Sequence, residues 1–274
     1  MPFSDWISDH EAIIRLSAFL GILTIMICWE RIAPKRQLLK SRLKRWGTNF
    51  ALVVLNSVIL RLLFPTAAAG IALYAQQQGW GLFNADFSVT WPATLVLISS
   101  ILLFDLCIYW QHRLMHQVPV LWRLHKVHHA DPDIDVSTGA RFHPIEIIVS
   151  MLIKFALVIA LGMPVVAVIL FEVILNATSM FNHSNVRLPE KLDAFVRWFL
   201  VTPDMHRVHH SQIEFETNSN YGFNIPWWDK IFGSYRAQPE LGHDKMKIGL
   251  KEYQRDKDSI QIIGLLKLPF RRRL

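Results

Sequence analysis

The chain is poor in cysteine and poor in charge. Its two cysteines, Cys28 and Cys107, lie inside apolar runs and form no C-x-x-C pair, which excludes a disulfide scaffold, a thiolate zinc site and an iron–sulfur cluster. Only 19% of the 274 residues are charged, against 52% hydrophobic, and the mean hydropathy is +0.26. Soluble domains carry about 25% charged residues, so a purely water-soluble domain is excluded. Glycine motifs for flavin or nicotinamide binding and a haem-attachment motif are missing. No internal repeat or low-complexity segment interrupts the chain. The first apolar run lacks both a basic n-region and a small-x-small cleavage site, so it is expected to be retained.

What is abundant is long apolar sequence. A bilayer crossing needs about 20 mostly apolar residues, and the runs 12–29, 50–74 and 91–110 qualify. The run 144–181 is too long for one span, and Gly162-Met163-Pro164 divides it into two arms, because proline and glycine stop helices. This predicts a hairpin that enters and returns. Seven basic residues, Arg31, Lys35, Arg36, Lys40, Arg42, Lys44 and Arg45, fill the loop 31–45, whereas Asp5, Asp9 and Glu11 open the chain and 75–90 has no basic residue. Lys/Arg asymmetry orients the 31–45 loop to the cytoplasm. Counting crossings from there, residues 111 and 182 return to the same side.

Charges inside these runs need partners. Lys154 and Glu172 are equidistant from Met163 and are predicted to pair across the hairpin. Arg15, near the end of its run, is expected to snorkel. Arg61, four residues before Pro65, either faces the bundle interior or marks a run that is really two pieces.

Histidine is the second excess. Eleven of twelve histidines lie between His112 and His243, and eight of them form three clusters: His112-x-x-x-His116, His125-Lys126-Val127-His128-His129 and His206-Arg207-Val208-His209-His210. On a helix, residues three and four apart share a face, so His112 and His116 can chelate one ion and His125 is expected to share a face with His128 and His129. The H-x-x-H-H pattern occurs twice, about 80 residues apart. Lipid headgroups would not require this spacing, and Lys or Arg would serve them better; a metal site is the reading adopted. His10 and His243 are assigned ordinary surface or hydrogen-bonding roles. His183, in Phe181-Asn182-His183-Ser184-Asn185, and His143, in Arg141-Phe142-His143-Pro144, fall at the same membrane face; His183 is the better-placed ligand, while His143 is a candidate to support a ligand ring or to face the substrate.

Eight or nine clustered imidazoles exceed one ion and suit two. All-nitrogen ligation fits iron among several first-row metals, and zinc could occupy such a site in a purified sample. A zinc hydrolase is disfavoured because His112-Arg113-Leu114-Met115-His116 has no glutamate in the H-E-x-x-H position. Ligating imidazoles need an acceptor for the other ring N–H. Asp105, two turns before His112, is the leading candidate, followed by Asp204, Glu146, Asn182, Asn220 and Tyr221; Asp204 could equally cap a helix at Thr202-Pro203-Asp204-Met205.

The ordered set HRLMH, HKVHH, FNHSN, HRVHH, NSNYGFN and WWDKIFGSY resembles the fatty acid hydroxylase/sterol desaturase superfamily of membrane di-iron oxygenases, over roughly residues 90 to 237. The resemblance implies two metal ions on His112, His116, His125, His128, His129, His206, His209 and His210, with His183 matching an intervening ligand position. It also implies oxidation of lipid C–H bonds with O₂ and two electrons, by hydroxylation or desaturation.

The expected architecture is therefore an all-α, multi-pass membrane helical bundle with a cytoplasmic, histidine-rich helical cap, in a cell inner membrane or the endoplasmic reticulum. Its parts would be N-terminal transmembrane helices and a basic loop (1–90), the di-iron domain (91–237) and a basic interfacial tail (238–274). The expected cofactors are two iron ions with O₂ as co-substrate. Expected partners are a lipid substrate, the membrane and a separate electron-donor protein, with no nucleic acid. Arg113, Arg123, Lys126, Arg141 and Arg207 could dock an acidic donor. Residues 259–274 pair apolar side chains with Lys267 and Arg271 to Arg273, as an interfacial helix would, and Trp227 and Trp228 either anchor at headgroup level or pack on the cap. Competing readings are a metal-transport protein, which should place ligands near the bilayer midplane, and a metal-dependent lipid hydrolase.

Overall fold

The computed structural model describes residues 3–88, 90–254 and 257–271. Its helices are α1 (Phe3–Asp9), α2 (Glu11–Ile32), α3 (Arg42–Leu63), α4 (Ala67–Gln77), α5 (Ala93–Gln117), α6 (Pro119–His129), α7 (Pro144–Leu161), α8 (Val165–Asn182), α9 (Glu190–Val196), α10 (Pro203–His209), α11 (Glu214–Thr217), α12 (Trp227–Ile231), α13 (Gly242–Lys245) and α14 (Ile262–Lys267). Among the described residues there is no strand, only two isolated bridges. Five segments are long and apolar enough to cross a membrane: Glu11–Ile32, Arg42–Asn84, Ala93–Gln117, Pro144–Leu161 and Val165–Asn182. The protein is a multi-pass membrane helical bundle.

Local chemistry sets the breaks. Pro65 ends α3, whose axis resumes at α4 after Ala67 turns at φ 51°. The run expected as one span is thus two helices, and Arg61 marks the division: it is exposed and donates to the Pro65 carbonyl at 3.2 Å. Between α7 and α8, Gly162 takes φ 63° and its N–H returns to Val158, as a left-handed helix cap does. Gly81 crosses this turn so closely that a Cβ on it would lie 2.1 Å from the Gly162 nitrogen. Two glycines are what let the α4–α5 connection close over the hairpin.

The hairpin charges pair as expected, with Lys154 Nζ on Glu172 Oε1, but Arg15 also reaches Glu172, through Oε2, instead of snorkelling. Its second contact, with Glu11, is 2.7 Å. The result is a charge group tying α2, α7 and α8 together.

At one end of the bundle, the ends of α2, α5 and α8 meet the starts of α3 and α7, and the cap is assembled there. Glu30 accepts from the backbone N–H groups of Val136 (2.7 Å) and Asn185 (2.8 Å). Arg45 is fully buried, bonded twice to Asp131 (2.7 and 2.8 Å) and once to Asp135 (2.5 Å). The neighbouring Arg141 donates to the carbonyls of Val127 and Ser259. These bonds fasten the loop 130–141 and with it the C-terminal end of α6. Arg141 and Arg207 are both fully buried, Arg207 against Asp204, so neither is available to dock a partner; Arg123 is exposed.

The tail also departs from expectation. Leu265 and Leu268 are fully buried against Leu52, Val127 and Ala130, so α14 and the turn after it cover α3 and α6, with Ile263, Lys267 and Phe270 facing outward. Arg272 and Arg273 lie outside the described residues. Trp228 donates to the buried Asp105, which makes cap packing its role, whereas Trp227 donates to the Trp198 carbonyl and is exposed.

Glu172→Gln should leave Lys154 without a carboxylate and Arg15 with Glu11 alone, costing about 3–5 kcal/mol and lowering the thermal midpoint in detergent. Because Arg15 completes the group, exchanging Lys154 and Glu172 should not restore wild-type stability; full restoration by that double variant would show Arg15 to be a bystander.

Candidate metal centre

Helix geometry sorts the histidines. The continuous α5 carries His112 and His116 past the apolar run, four residues apart on one face, and α6 opens at Pro119 immediately afterwards. Proline at the first helical position supplies a preset φ where no N–H is needed. The same device opens α10: Pro203 follows Thr202, whose hydroxyl accepts from the Met205 N–H at 3.3 Å.

Nine histidines converge in two groups. His112, His116, His125, His129 and His209 form one, and His128, His183, His206 and His210 the other, with the nearest ring nitrogens of each group all within 4.8 Å of one another. Each H-x-x-H-H box is shared between them. His125 and His129, at i and i+4, face one group while His128 faces the other; His206 and His210 face the second group while His209 faces the first. Adjacent residues on a helix point about 100° apart, so a His-His pair can serve two neighbouring centres. The expectation that His125, His128 and His129 share one face is corrected accordingly. The groups abut: His129 stacks on His210 at 4.5 Å between ring centroids, and His206 on His209 at 5.1 Å.

Four rings are oriented through Nδ1. His112 donates to the Tyr221 carbonyl (2.8 Å), His183 to that of Ser179 (2.8 Å) and His209 to that of Ser219 (2.7 Å), while His125 meets Glu146 at 2.6 Å. Each bond fixes the tautomer that leaves Nε2 as a lone pair. His183 Nε2 then faces His128 Nε2 at 3.1 Å and His206 Nε2 at 3.0 Å. Burial, reinforced by the neighbouring imidazoles, pushes His128, His129, His206 and His210 well below the ordinary histidine range. Burial lowers His209 to about 3 and His183 to about 4, against the opposing pull of their carbonyl partners. These rings are neutral at physiological pH.

The donor chemistry fits a metal. His112, His125, His129 and His209 each bury an Nε2 that has no hydrogen-bond partner, and an unmet buried polar atom costs about 1–3 kcal/mol. Neutral, buried nitrogens facing one another from four segments are what first-row transition metals bind.

Several sequence candidates lie elsewhere. Asp105 accepts from Trp228 at 2.8 Å and does not orient His112; it secures the segment whose Tyr221 carbonyl does. Asp204 pairs with Lys35 at 2.7 Å and with Arg207, while Thr202 provides the cap. His143 caps α7, its Nδ1 accepting from Ile145 N–H and its Nε2 lying 3.2 Å from the Leu266 carbonyl; both nitrogens are committed away from the cluster. Asn182 and Asn220 donate to the carbonyls of Phe223 and Met205. Glu146, the weaker carboxylate candidate, is the one that touches a cluster histidine. His10 stacks on Trp6, as an ordinary surface histidine does.

Two cavities approach the cluster. One of about 330 Å³ lies among α3, α5, α7 and α8 and reaches His112 and His125; the other, about 490 Å³, lies on the cap side against His116 and Trp122. Phe142 stacks flat on His128 at 4.7 Å, and Phe223 lies 5.3 Å from His112. Nothing in the sequence pattern marked Trp122, Phe142 or Phe223 as neighbours of the cluster, because ring contacts across a fold have no periodic signature.

This is the architecture of a membrane-embedded histidine-cluster protein. The chain belongs to the fatty acid hydroxylase family, whose profile matches residues 97–234, just over half its length. It is 25% identical to ornithine lipid hydroxylase OlsE of Rhizobium tropici over 81% of this chain and 66% of that protein. It is 29% identical to alkylglycerol monooxygenase of Homo sapiens (56% of this chain, 34% of that protein) and 28% identical to lathosterol oxidase of Mus musculus (55% and 48%). The chain thus spans only part of the length of these curated relatives. No solved structure matches it.

Gly139 tests the tautomer argument, since a Cβ there would lie 2.8 Å from the Ser179 carbonyl oxygen and 3.2 Å from His183 Nδ1. Gly139→Ala should disturb that bond and weaken metal binding at the four-histidine group by about 10–100-fold, while the five-histidine group retains its ion. Metal analysis across a chelator series should show one ion lost ahead of the other; unchanged retention of both would sink the assignment.

Proposed function

We propose that the protein is a di-iron membrane oxygenase that hydroxylates or desaturates a lipid C–H bond with O₂. The observation that carries this reading is the convergence of nine imidazoles in two abutting groups, one of which borders a cavity among the membrane helices through His112 and His125. The names of the relatives, lipid hydroxylase, monooxygenase and sterol oxidase, support the same chemistry.

His112, His116, His125, His129 and His209 would hold one ion and His128, His183, His206 and His210 the other. Bound iron would supply O₂ activation and the oxidising power for the C–H bond. In hydroxylation, one oxygen atom enters the lipid and the other leaves as water, with two electrons and two protons consumed. In desaturation, two hydrogens leave the lipid and both oxygen atoms become water for the same input.

The protein's own contribution is positional. Carbonyls of Tyr221, Ser179 and Ser219 hold three rings in the ligating tautomer, and Glu146 holds a fourth. Phe142 and Phe223 cover the ring faces against water. A centre at the end of the bundle lets an amphiphile keep its headgroup at the interface while its chain extends among the helices, whereas a transporter would need ligands near the midplane.

We assign the histidine end to the cytoplasmic side on the basic 31–45 loop, in a bacterial inner membrane or the endoplasmic reticulum. Electrons would come from a separate protein, with the cap-side cavity at His116 and Trp122 giving its approach.

Comparing lipids from cells carrying wild type or His128→Ala by mass spectrometry tests the reading. Wild type alone should yield a product one oxygen atom heavier or two hydrogens lighter than its precursor. Iron-loaded, reduced protein that consumes no O₂ and changes no lipid would overturn it, as would zinc-supported lipid hydrolysis without O₂.

A further inference from the structure

The membrane-side cavity carries more polarity than a hydrocarbon chain needs. Glu146, Ser150 and Lys154 occupy successive turns of α7 and all line it, so polar groups run about 12 Å along one wall. Polar side chains at membrane depth are costly and mark function. At the far end, Lys154 is already neutralised by Glu172.

At the histidine end the wall is different. Asn56, Gln111 and Glu146 line the cavity, and Asn56 Oδ1, Gln111 Oε1 and Glu146 Oε2 are buried without a hydrogen-bond partner. Asn56 is held in that orientation because its Nδ2 donates to the Phe142 carbonyl at 3.0 Å. Glu146 is held by His125 through its other oxygen. Gln111 shares a bond with the Ser150 hydroxyl at 2.7 Å; since a hydroxyl can take either role, Gln111 adapts, and Asn56 with Glu146 sets the sign of the deficit.

That sign is acceptor. A carboxylate or phosphate would bring more lone pairs to a wall already rich in oxygen, where the cation on hand is occupied. An ether oxygen or bare chain would leave the acceptors unmet. A hydroxyl or amide N–H would satisfy them. The acceptors also sit close to the chemistry: Gln111 adjoins His112, Glu146 touches His125, and Asn56 bonds the residue that stacks on His128.

We propose that the lipid oxidised here carries a neutral hydrogen-bond donor, a hydroxyl or amide N–H, within a few bonds of the oxidised carbon, that Asn56, Gln111 and Glu146 receive it, and that an ionised fatty acid is not the substrate. This rests on the oxygenase reading above and adds its substrate class.

Binding, read apart from turnover, tests it. Metal-loaded full-length protein in nanodiscs is titrated with hexadecanol, its methyl ether and palmitate, all sharing one chain, at a pH where palmitate is ionised. Saturable shifts in melting temperature report affinity. Hexadecanol should bind about tenfold more tightly than the other two, and Asn56→Leu or Gln111→Met should shrink that preference to about threefold or less with both ions retained. Palmitate or the ether binding as tightly as the alcohol overturns the proposal, as does an undiminished preference in both variants. Should either variant lose its metal, the wild-type ranking of the three probes decides alone. Because no reductant or O₂ is present, failure of the oxygenase reading would appear separately, as absent O₂ consumption with the binding preference intact.

Discussion

Buried imidazoles that point lone pairs at one another cannot satisfy each other, and this constraint organises the fold. A neutral histidine has one N–H and one lone pair. Once His112, His183 and His209 have given their N–H to backbone carbonyls, each has only a lone pair to turn inward. Repeated from four segments, that arrangement concentrates electron density in two small volumes. A bound cation would relieve it, so the cluster suits a binding site better than a core.

Holding such a cluster without collapse falls to groups outside it. Arg45 ties α3 to the loop that follows α6, and Arg141 fixes the same loop to the Val127 carbonyl and to the tail. Glu30 links α2 to the residues after α8. Paired charges buried this deeply contribute little net stability compared with apolar packing, but they tolerate few alternative geometries. The loop from 130 to 141 gains register from them, and Gly139 within it can then approach His183 closely.

Much of this was legible in the sequence, and the divisions are physical. Spans were readable because apolar length is a local property, and the histidine boxes because i, i+4 spacing on a helix decides which rings meet. The hairpin pair Lys154–Glu172 followed from symmetry about Met163. Asp105 was misread because two helical turns of separation suggested a shared face, whereas its partner Trp228 arrives from 123 residues away. His143 reads as a supporting or substrate-facing candidate because it falls at the same membrane face as the boxes, yet a helix start needs a cap and it is used there. Tail residues such as Leu265 read as interfacial because amphipathicity shows that a face is buried without showing whether lipid or protein covers it. The ring-orienting carbonyls of Ser179, Ser219 and Tyr221 were invisible, since every residue has one.

The two histidine groups are unequal in surroundings. His112 and His125 border the membrane-side cavity and His116 the cap-side cavity, all three from the five-histidine group. None of the four histidines in the other group borders either cavity. The five-histidine group therefore stands between an approach from among the membrane helices and an approach from the cap, whereas the other lies behind it, against Phe142, Phe223 and the loop at Gly139. Such a division separates tasks that conflict in one place. On the oxygenase reading proposed above, a lipid chain would have to reach the reacting atoms without water, while protons and electrons would have to reach them from the aqueous side. Opposite walls of one histidine group meet both demands, and the enclosed group can hold its ion without exchanging with either compartment.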